Sequence, residues 1–276
     1  MAPSPVPIRR RPVLATAALV AGGLLPVGLG PPGTAAPPAA PLVDATVRQV
    51  VVVVTPSWEA TTGRLAWFER APAGAWRRAA EPVQVTVGRA GLGWGLGLHP
   101  DPAGAVGPAK REGDGRSPAG VFSIGIAFGA AATLDTGLPY KPLDGDDWCV
   151  DVAASPLYNR IVGRRDVGGA AVAGSTESMR RDLAPTADGQ YAVGFTIGHN
   201  PTGLAGMGSC IFAHVRAGPG VPTSGCTGFA EDDLRRLLAW LRGDARPLVV
   251  LLPAAEASRL GAWGLPDAAL VTGDGP

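Results

Sequence analysis

The chain has 276 residues, 46% of them hydrophobic and 17% charged, with a formal net charge of +1. This composition excludes an intrinsically disordered chain, and a near-neutral charge without a basic stripe argues against a nucleic-acid partner. Glycine and proline, with 40 and 28 residues, make up about a quarter of the chain. They favour many turns and short strands over long helices.

The N-terminal segment has the order of a secretory signal peptide. Three arginines at 9–11 precede an apolar run from Val13 to Leu29, and small residues and prolines follow it. The run is short for a membrane span and contains glycines and a proline, although an uncleaved anchor is the alternative. We expect a signal peptide at 1–36, a linker at 37–46 and a single domain at 47–276. The mature protein would then lie in the periplasm, the cell wall or outside the cell.

Beyond the linker the pattern is mainly β, with runs and alternations of apolar residues that predict short strands. The predicted strands are 47–55, 64–69, 83–87, 121–126, 148–152, 191–197, 210–215 and 247–252. Residues 88–120 are dense in glycine and proline and predict a long loop.

One helix is clear from the sequence. From Glu231 to Leu241, leucines recur at i, i+3, i+4 and i+7, and Gly243 is a natural stop after the last turn. A second, weaker helix is predicted around 177–183.

The three cysteines, Cys149, Cys210 and Cys226, form an odd set, which in an exported chain indicates one free thiol and one possible disulfide. Cys226 follows a Gly/Pro-rich loop and has small neighbours, which leave backbone N–H groups accessible for an oxyanion. Cys149 and Cys210 lie in predicted strands. A bridge between them would leave Cys226 free, but the sequence does not show whether they are close.

A thiol with an ordinary pKa needs a nearby base to act as a nucleophile at neutral pH. His214 lies before the Gly/Pro-rich loop that leads to Cys226, and that loop can fold back to bring the two together. His199 follows the predicted strand 191–197 and is a candidate second base or substrate contact. His99 has no feature that points to function, and three scattered histidines do not indicate a metal site.

This region resembles the L,D-transpeptidase family, the YkuD-type catalytic domain of bacterial cell walls. In that family a His and a variable loop precede a Ser/Thr-x-Gly-Cys motif, which His214, Thr223, Gly225 and Cys226 match. Further resembling segments cover about 80–252, namely 110–120, 148–151, 158–159, 199–200 and 208–214. The resemblance implies an L,D-transpeptidase-like β-sandwich or barrel with one clear helix after the cysteine.

The sequence also departs from that family's pattern. It has Thr-Ser-Gly-Cys in place of Ser-His-Gly-Cys, so Ser224 stands where better-known members have a histidine. Thr227 and Gly228 follow the cysteine instead of an apolar residue and then Arg or Asn. These differences indicate an atypical branch and make a hydrolase, in which water resolves the acyl-enzyme, a credible alternative.

The resemblance implies a cysteine-nucleophile acyltransferase of cell-wall synthesis and cell shape that acts on peptidoglycan stem peptides. Cys226 would form a thioester with the third stem residue, and an amine of a second stem would resolve it to a 3→3 cross-link. His214 would take the thiol proton, and backbone N–H groups near Gly225 and Cys226 would hold the oxyanion.

Further substrate or oxyanion contacts are expected at Thr223, Ser224 and His199. Lys110 and Arg116 could contact stem carboxylates, although a solvated loop is the interpretation that we favour for them. The alternatives are an L,D-carboxypeptidase or other hydrolase that uses the same thiol, and a non-catalytic cell-wall module. We expect no cofactor or metal, no stable membrane span after signal cleavage, and a monomer.

Overall fold

The structure, a computed structural model, describes residues 42–72, 74–100, 106–183 and 188–272. The predicted signal peptide at 1–36 lies outside the described residues. The strands are β1 Gln49–Thr55, β2 Thr62–Glu69, β3 Arg77–Arg78, β4 Val83–Thr86, β5 Leu92–Trp94, β6 Ser117–Gly129, β7 Tyr140–Pro142, β8 Asp147–Cys149, β9 Ile161–Gly163, β10 Glu177–Ser178, β11 Val193–Ile197, β12 Phe212–Val215, β13 Thr227–Phe229 and β14 Leu248–Pro253. The helices are α1 Arg164–Val167, α2 Glu231–Trp240, α3 Arg259–Ala262 and α4 Ala269–Thr272.

Eight of these strands close into a barrel. The order is β1-β14-β6-β11-β12-β13-β4-β2, and β2 pairs back onto β1 in antiparallel register. Pairs β1–β14 and β12–β13 are parallel, whereas the other neighbours around the ring are antiparallel. The prediction of a mainly β fold is confirmed, and of the two expected architectures the sheet adopts the barrel.

The barrel core follows from the apolar runs in the sequence. All seven residues of β1 are buried, as are all six of β14, which is expected where strands are covered on both faces. Helix α2 buries Leu234, Leu237 and Leu238 and exposes charged residues on its other face. Because α2 begins two residues after β13, it anchors the segment that carries Cys226.

A separate three-stranded sheet, β10-β8-β9, lies outside the barrel. The disulfide Cys149–Cys210 joins the end of β8 to the segment before β12. This small sheet, residues 147–149, 161–163 and 177–178, is called the side sheet below. The disulfide fixes the side sheet beside the strand that carries His214.

Three sequence predictions differ from the structure. The weak helix at 177–183 is wrong, because Glu177 and Ser178 pair with β8 and only a 3₁₀ turn follows at Arg181–Leu183. The predicted loop 88–120 contains β5 and the start of β6. Within the predicted linker, Val43 is buried and its N–H donates to the Trp263 carbonyl oxygen, so domain packing begins before residue 47.

No helix among the described residues is long and apolar enough to cross a membrane.

Candidate active site

Cys226 ends a tight turn immediately before β13, and two hydroxyl groups hold this turn. The Thr223 hydroxyl donates to the Cys226 carbonyl oxygen at 2.6 Å and accepts the Gly225 N–H at 3.1 Å. The Ser117 hydroxyl donates to the same carbonyl at 2.8 Å. Thr223 therefore orients the backbone that carries the sulfur.

Gly225 has a conformation that requires glycine. Its φ is +154°, and a Cβ there would lie 3.0 Å from the Arg116 carbonyl oxygen. Its N–H is already bonded to Thr223 and is not available for an oxyanion, which corrects the expected role of this group. The Cys226 N–H has no acceptor among the described residues, so it is the better oxyanion candidate.

The Cys226 sulfur is buried and lies among polar backbone groups. The Phe212 N–H donates to Sγ at 3.3 Å, and the thiol faces the Cys210 carbonyl oxygen at 3.5 Å. Burial and, second, the charge of Glu177 raise the pKa of Cys226 to about 12. Cys226 is the free cysteine of the three, because Cys149 and Cys210 are bridged.

His214 lies in β12, next to the strand that Cys226 leads into. The parallel register sets His214 opposite Gly228, two residues beyond Cys226. The Val215 carbonyl can only accept, so the 2.8 Å contact assigns the proton to His214 Nδ1. Burial lowers the pKa of His214 to about 4, so the ring is neutral and Nε2 offers a lone pair.

Within the described residues, no hydrogen bond joins Cys226 Sγ to His214. The ring of Tyr191 packs edge-on against His214, with ring centroids 5.3 Å apart, and belongs to the same buried cluster as Cys226. The Tyr191 hydroxyl donates to Glu177 Oε1 at 2.6 Å. Tyr191 thus connects the imidazole to a carboxyl group on the side sheet.

Cys226 lines a cavity of about 240 Å³, called the thiol cavity below. Gly225, Ser224 and Arg89 also line it, and Ser224 and Arg89 are exposed. Glu177 of the side sheet also lines the cavity, and burial raises its pKa. The cavity therefore brings the thiol together with a cation and a carboxyl group.

The structure does not bring His199 into the thiol cavity. Its Nδ1 accepts the Leu96 N–H at 3.2 Å and its Nε2 lies 2.9 Å from the Met207 carbonyl oxygen, so both nitrogens are engaged. His199 lines a different cavity of about 370 Å³, on the Cys149 side of the disulfide. Its contacts hold two loops together, and a role as second base is not supported by them.

The 110–116 loop is ordered by its own charges, contrary to the solvated-loop interpretation. Lys110 is buried and its Nζ donates to Asp114 Oδ1 at 2.6 Å, while Arg116 Nη1 donates to the Leu92 carbonyl oxygen at 2.8 Å. Glu112 accepts hydrogen bonds from Ser209, at 2.7 Å, and from Tyr158. Lys110 and Glu112 line the thiol cavity, so these hydrogen bonds hold two of its lining residues in place.

Glu177, Tyr191 and Arg89 are site residues that the sequence did not reveal. Glu177 lies in a segment with a helical pattern, and Tyr191 begins a predicted strand without any motif. The resemblance of 148–151 to the family could have pointed to Glu177, because β8 lies in that segment and pairs with β10, which contains Glu177.

No protein family, curated protein or solved structure matches the chain. The fold and site by themselves define a mainly β closed barrel with a buried free thiol, a neutral imidazole on the neighbouring strand, and a small charged cavity. Among the described residues, no group of three or more His, Cys, Asp or Glu side chains could hold a metal ion.

Proposed function

We propose that this protein is a peptidoglycan L,D-transpeptidase that uses Cys226 as its nucleophile, in an L,D-transpeptidase-like barrel. The observation that carries the proposal is the state of the three cysteines: Cys149 and Cys210 are bridged, and the free thiol lines a cavity, with His214 on the neighbouring strand. The reaction class is inferred from the resemblance of Thr223, Gly225 and Cys226 to the motif of the L,D-transpeptidase family.

In the acylation step, the thiol turns from the Cys210 carbonyl toward His214 Nε2 and loses its proton. Sulfur then attacks the carbonyl carbon of the third stem residue, the C–N bond breaks, and the proton passes from His214 to the departing amine. Because the thiol has a raised pKa and the imidazole a lowered one, proton transfer must be coupled to the attack.

Incubation of the purified protein with tetrapeptide muropeptides tests the proposal. We expect cross-linked dimers and a thioester adduct with a carbapenem, read by intact mass, and both should be abolished in Cys226→Ala. Tripeptides without dimers would indicate the hydrolase instead. Full turnover in the Cys226→Ala variant would exclude this thiol as the nucleophile. If the wild type shows neither turnover nor an adduct, the protein is a non-catalytic module.

A further inference from the structure

Glu177 places a carboxyl group in the thiol cavity, and this group has no role in the acylation step described above. Its Oε1 accepts the Tyr191 hydroxyl at 2.6 Å and lies 3.7 Å from Arg181 Nη1. No hydrogen bond to Oε2 is found in the described part of the chain. One oxygen is thus anchored, while the side chain as a whole forms part of the cavity wall.

The position of Glu177 is fixed from two sides. Its backbone pairs with Cys149 through β8 and β10, and Cys149 is bridged to Cys210. The Cys210 carbonyl in turn faces the Cys226 thiol. A short covalent and hydrogen-bonded path therefore holds Glu177 in the lining of the same cavity as the sulfur.

The charge of Glu177 opposes the thiolate, because it raises the pKa of Cys226. A carboxylate whose only effect was to disfavour the thiolate would slow acylation and would assist no other step. The same charge is favourable for an ammonium group, which is the form in which a primary amine enters at neutral pH. The electrostatics of the cavity therefore suit the second half of the reaction better than the first.

We propose that Glu177 binds the incoming acceptor amine and takes its first proton, so that it selects an amine over water at the Cys226 thioester. This inference rests on the proposed function. The ammonium gives one proton to Glu177 Oε2, and its nitrogen lone pair attacks the thioester carbon. The C–S bond breaks, and the second nitrogen proton passes to the sulfur through His214. The products are an amide, a thiol and a protonated Glu177, which then releases its proton to solvent.

Arg89 lines the same cavity and supplies a positive charge there. It is exposed, and among the described residues no hydrogen bond or ion pair of its guanidinium is found. A cation there would attract a carboxylate that neighbours the reacting amine. The thiol cavity therefore fits an acceptor carrying an amine and a carboxylate on one carbon, the amine facing Glu177.

The test is the partition of the acyl-enzyme between amine and water in Glu177→Gln. The amide oxygen introduced by this substitution can still accept the Tyr191 hydroxyl, so the side sheet should keep its position. We expect dimer formation to fall about a hundredfold, while tripeptide formation and carbapenem acylation persist. Alkylation of Cys226 by iodoacetamide should become faster, because the opposing charge is gone.

Two further variants separate a role in proton transfer from a structural one. Asp166→Asn removes an exposed charge from α1, which follows β9 of the side sheet, at a residue that does not line the thiol cavity. Its partition should match the wild type. Glu177→Asp keeps the carboxylate and should restore part of the dimer yield, even if Glu177→Gln folds poorly.

Three results would overturn the inference. The first is an unchanged partition in Glu177→Gln, and the second is an equal loss of acylation and dimer formation. The third is a partition shift in Asp166→Asn as large as that in Glu177→Gln. If the wild type is acylated by the carbapenem but never forms dimers, both this inference and the transpeptidase assignment are excluded. If the wild type forms dimers and any of the three results is found, this inference alone is excluded.

Discussion

At the scale of single residues, the resting site is a neutral pair. Burial raises the pKa of Cys226 to about 12 and lowers that of His214 to about 4, so a thiolate–imidazolium pair is strongly disfavoured before substrate enters. A protonated thiol is a weak nucleophile and a weak target for oxidants. In the proposed acylation, reactivity would therefore depend on how accurately the Thr223–Cys226 turn presents the sulfur to the substrate carbonyl.

Thr223 offers a sharp test of that turn. Thr223→Val keeps the shape of the side chain but leaves the Cys226 carbonyl with one hydroxyl donor instead of two and the Gly225 N–H without its acceptor. We expect a loss of about 1–3 kcal/mol in the free energy of unfolding. Carbapenem acylation, measured by intact mass over time, should slow roughly tenfold or more because the sulfur is misplaced.

Thr223→Ser is the matched control for this prediction, since it keeps the hydroxyl and removes only a methyl group. Its acylation rate should stay close to that of the wild type. Equal rates in the valine and serine variants would show that the hydroxyl does not position the thiol.

At the scale of elements, the side sheet supplies one wall of the thiol cavity but has little support of its own. Its strands have two or three residues each, and a sheet of this size is marginal without a tether. The Cys149–Cys210 bridge provides the tether across 61 residues of sequence. The bridge thus links the stability of the chain to the geometry of the site.

Reduction of this disulfide should therefore destabilise the protein and loosen the side sheet. A loop of this length predicts a loss of roughly 4 kcal/mol, or a fall of about 10 °C in the unfolding temperature. Scanning calorimetry with and without dithiothreitol measures it, and hydrogen exchange should rise at 177–183. In the control variant Cys149→Ala/Cys210→Ala, the reductant should not change the unfolding temperature. If the reductant also leaves the unfolding temperature of the wild type unchanged, the prediction is contradicted.

The sequence predicted the elements whose patterns are local. The valine run of β1 and the leucine spacing of α2 determine their structures through burial alone, and the Gly-Cys turn is contiguous in the chain. Glu177 is different, because its strand exists only through pairing with β8, which is a contact distant in sequence. The expected strand at 210–215 begins only at Phe212, since Cys210 has a left-handed φ of +55° at the bridge.

The histidines show the same limit. His214 and His199 both follow or lie in predicted strands, and their spacing to Cys226 cannot distinguish a base from a structural residue. The deciding facts are hydrogen bonds: His214 has one nitrogen engaged and His199 has both. Such contacts depend on how the barrel closes and on the loop at 203–208, which no periodicity encodes.

At the scale of the whole molecule, closure of the barrel buries His199 and His214 in their neutral forms. Burial lowers the pKa of each to about 4, whereas in the unfolded chain both would titrate near 6.5. Below pH 6.5 the unfolded state binds protons that the folded state does not. The free energy of unfolding should therefore fall as the pH decreases from 6.5 toward 4.

Each of these histidines should contribute a loss of about 2 kcal/mol between pH 7 and pH 5. Glu177 acts in the opposite direction, because its raised pKa makes the folded state take up a proton first as the pH falls. The net loss is therefore smaller than the sum of the two histidines. Urea unfolding at the two pH values measures it, and equal stability at both would contradict the prediction.

The ring protons of the histidines give a direct check in the folded protein. With three histidines in the chain, the imidazole signals in a proton NMR spectrum are few and can be assigned with His199→Gln and His214→Gln. The shifts of His199 and His214 should stay constant from pH 8 to pH 5 and change only near pH 4. A midpoint near 6.5 for His214 would mean that its ring is solvated, and the neutral resting pair with Cys226 would then be wrong.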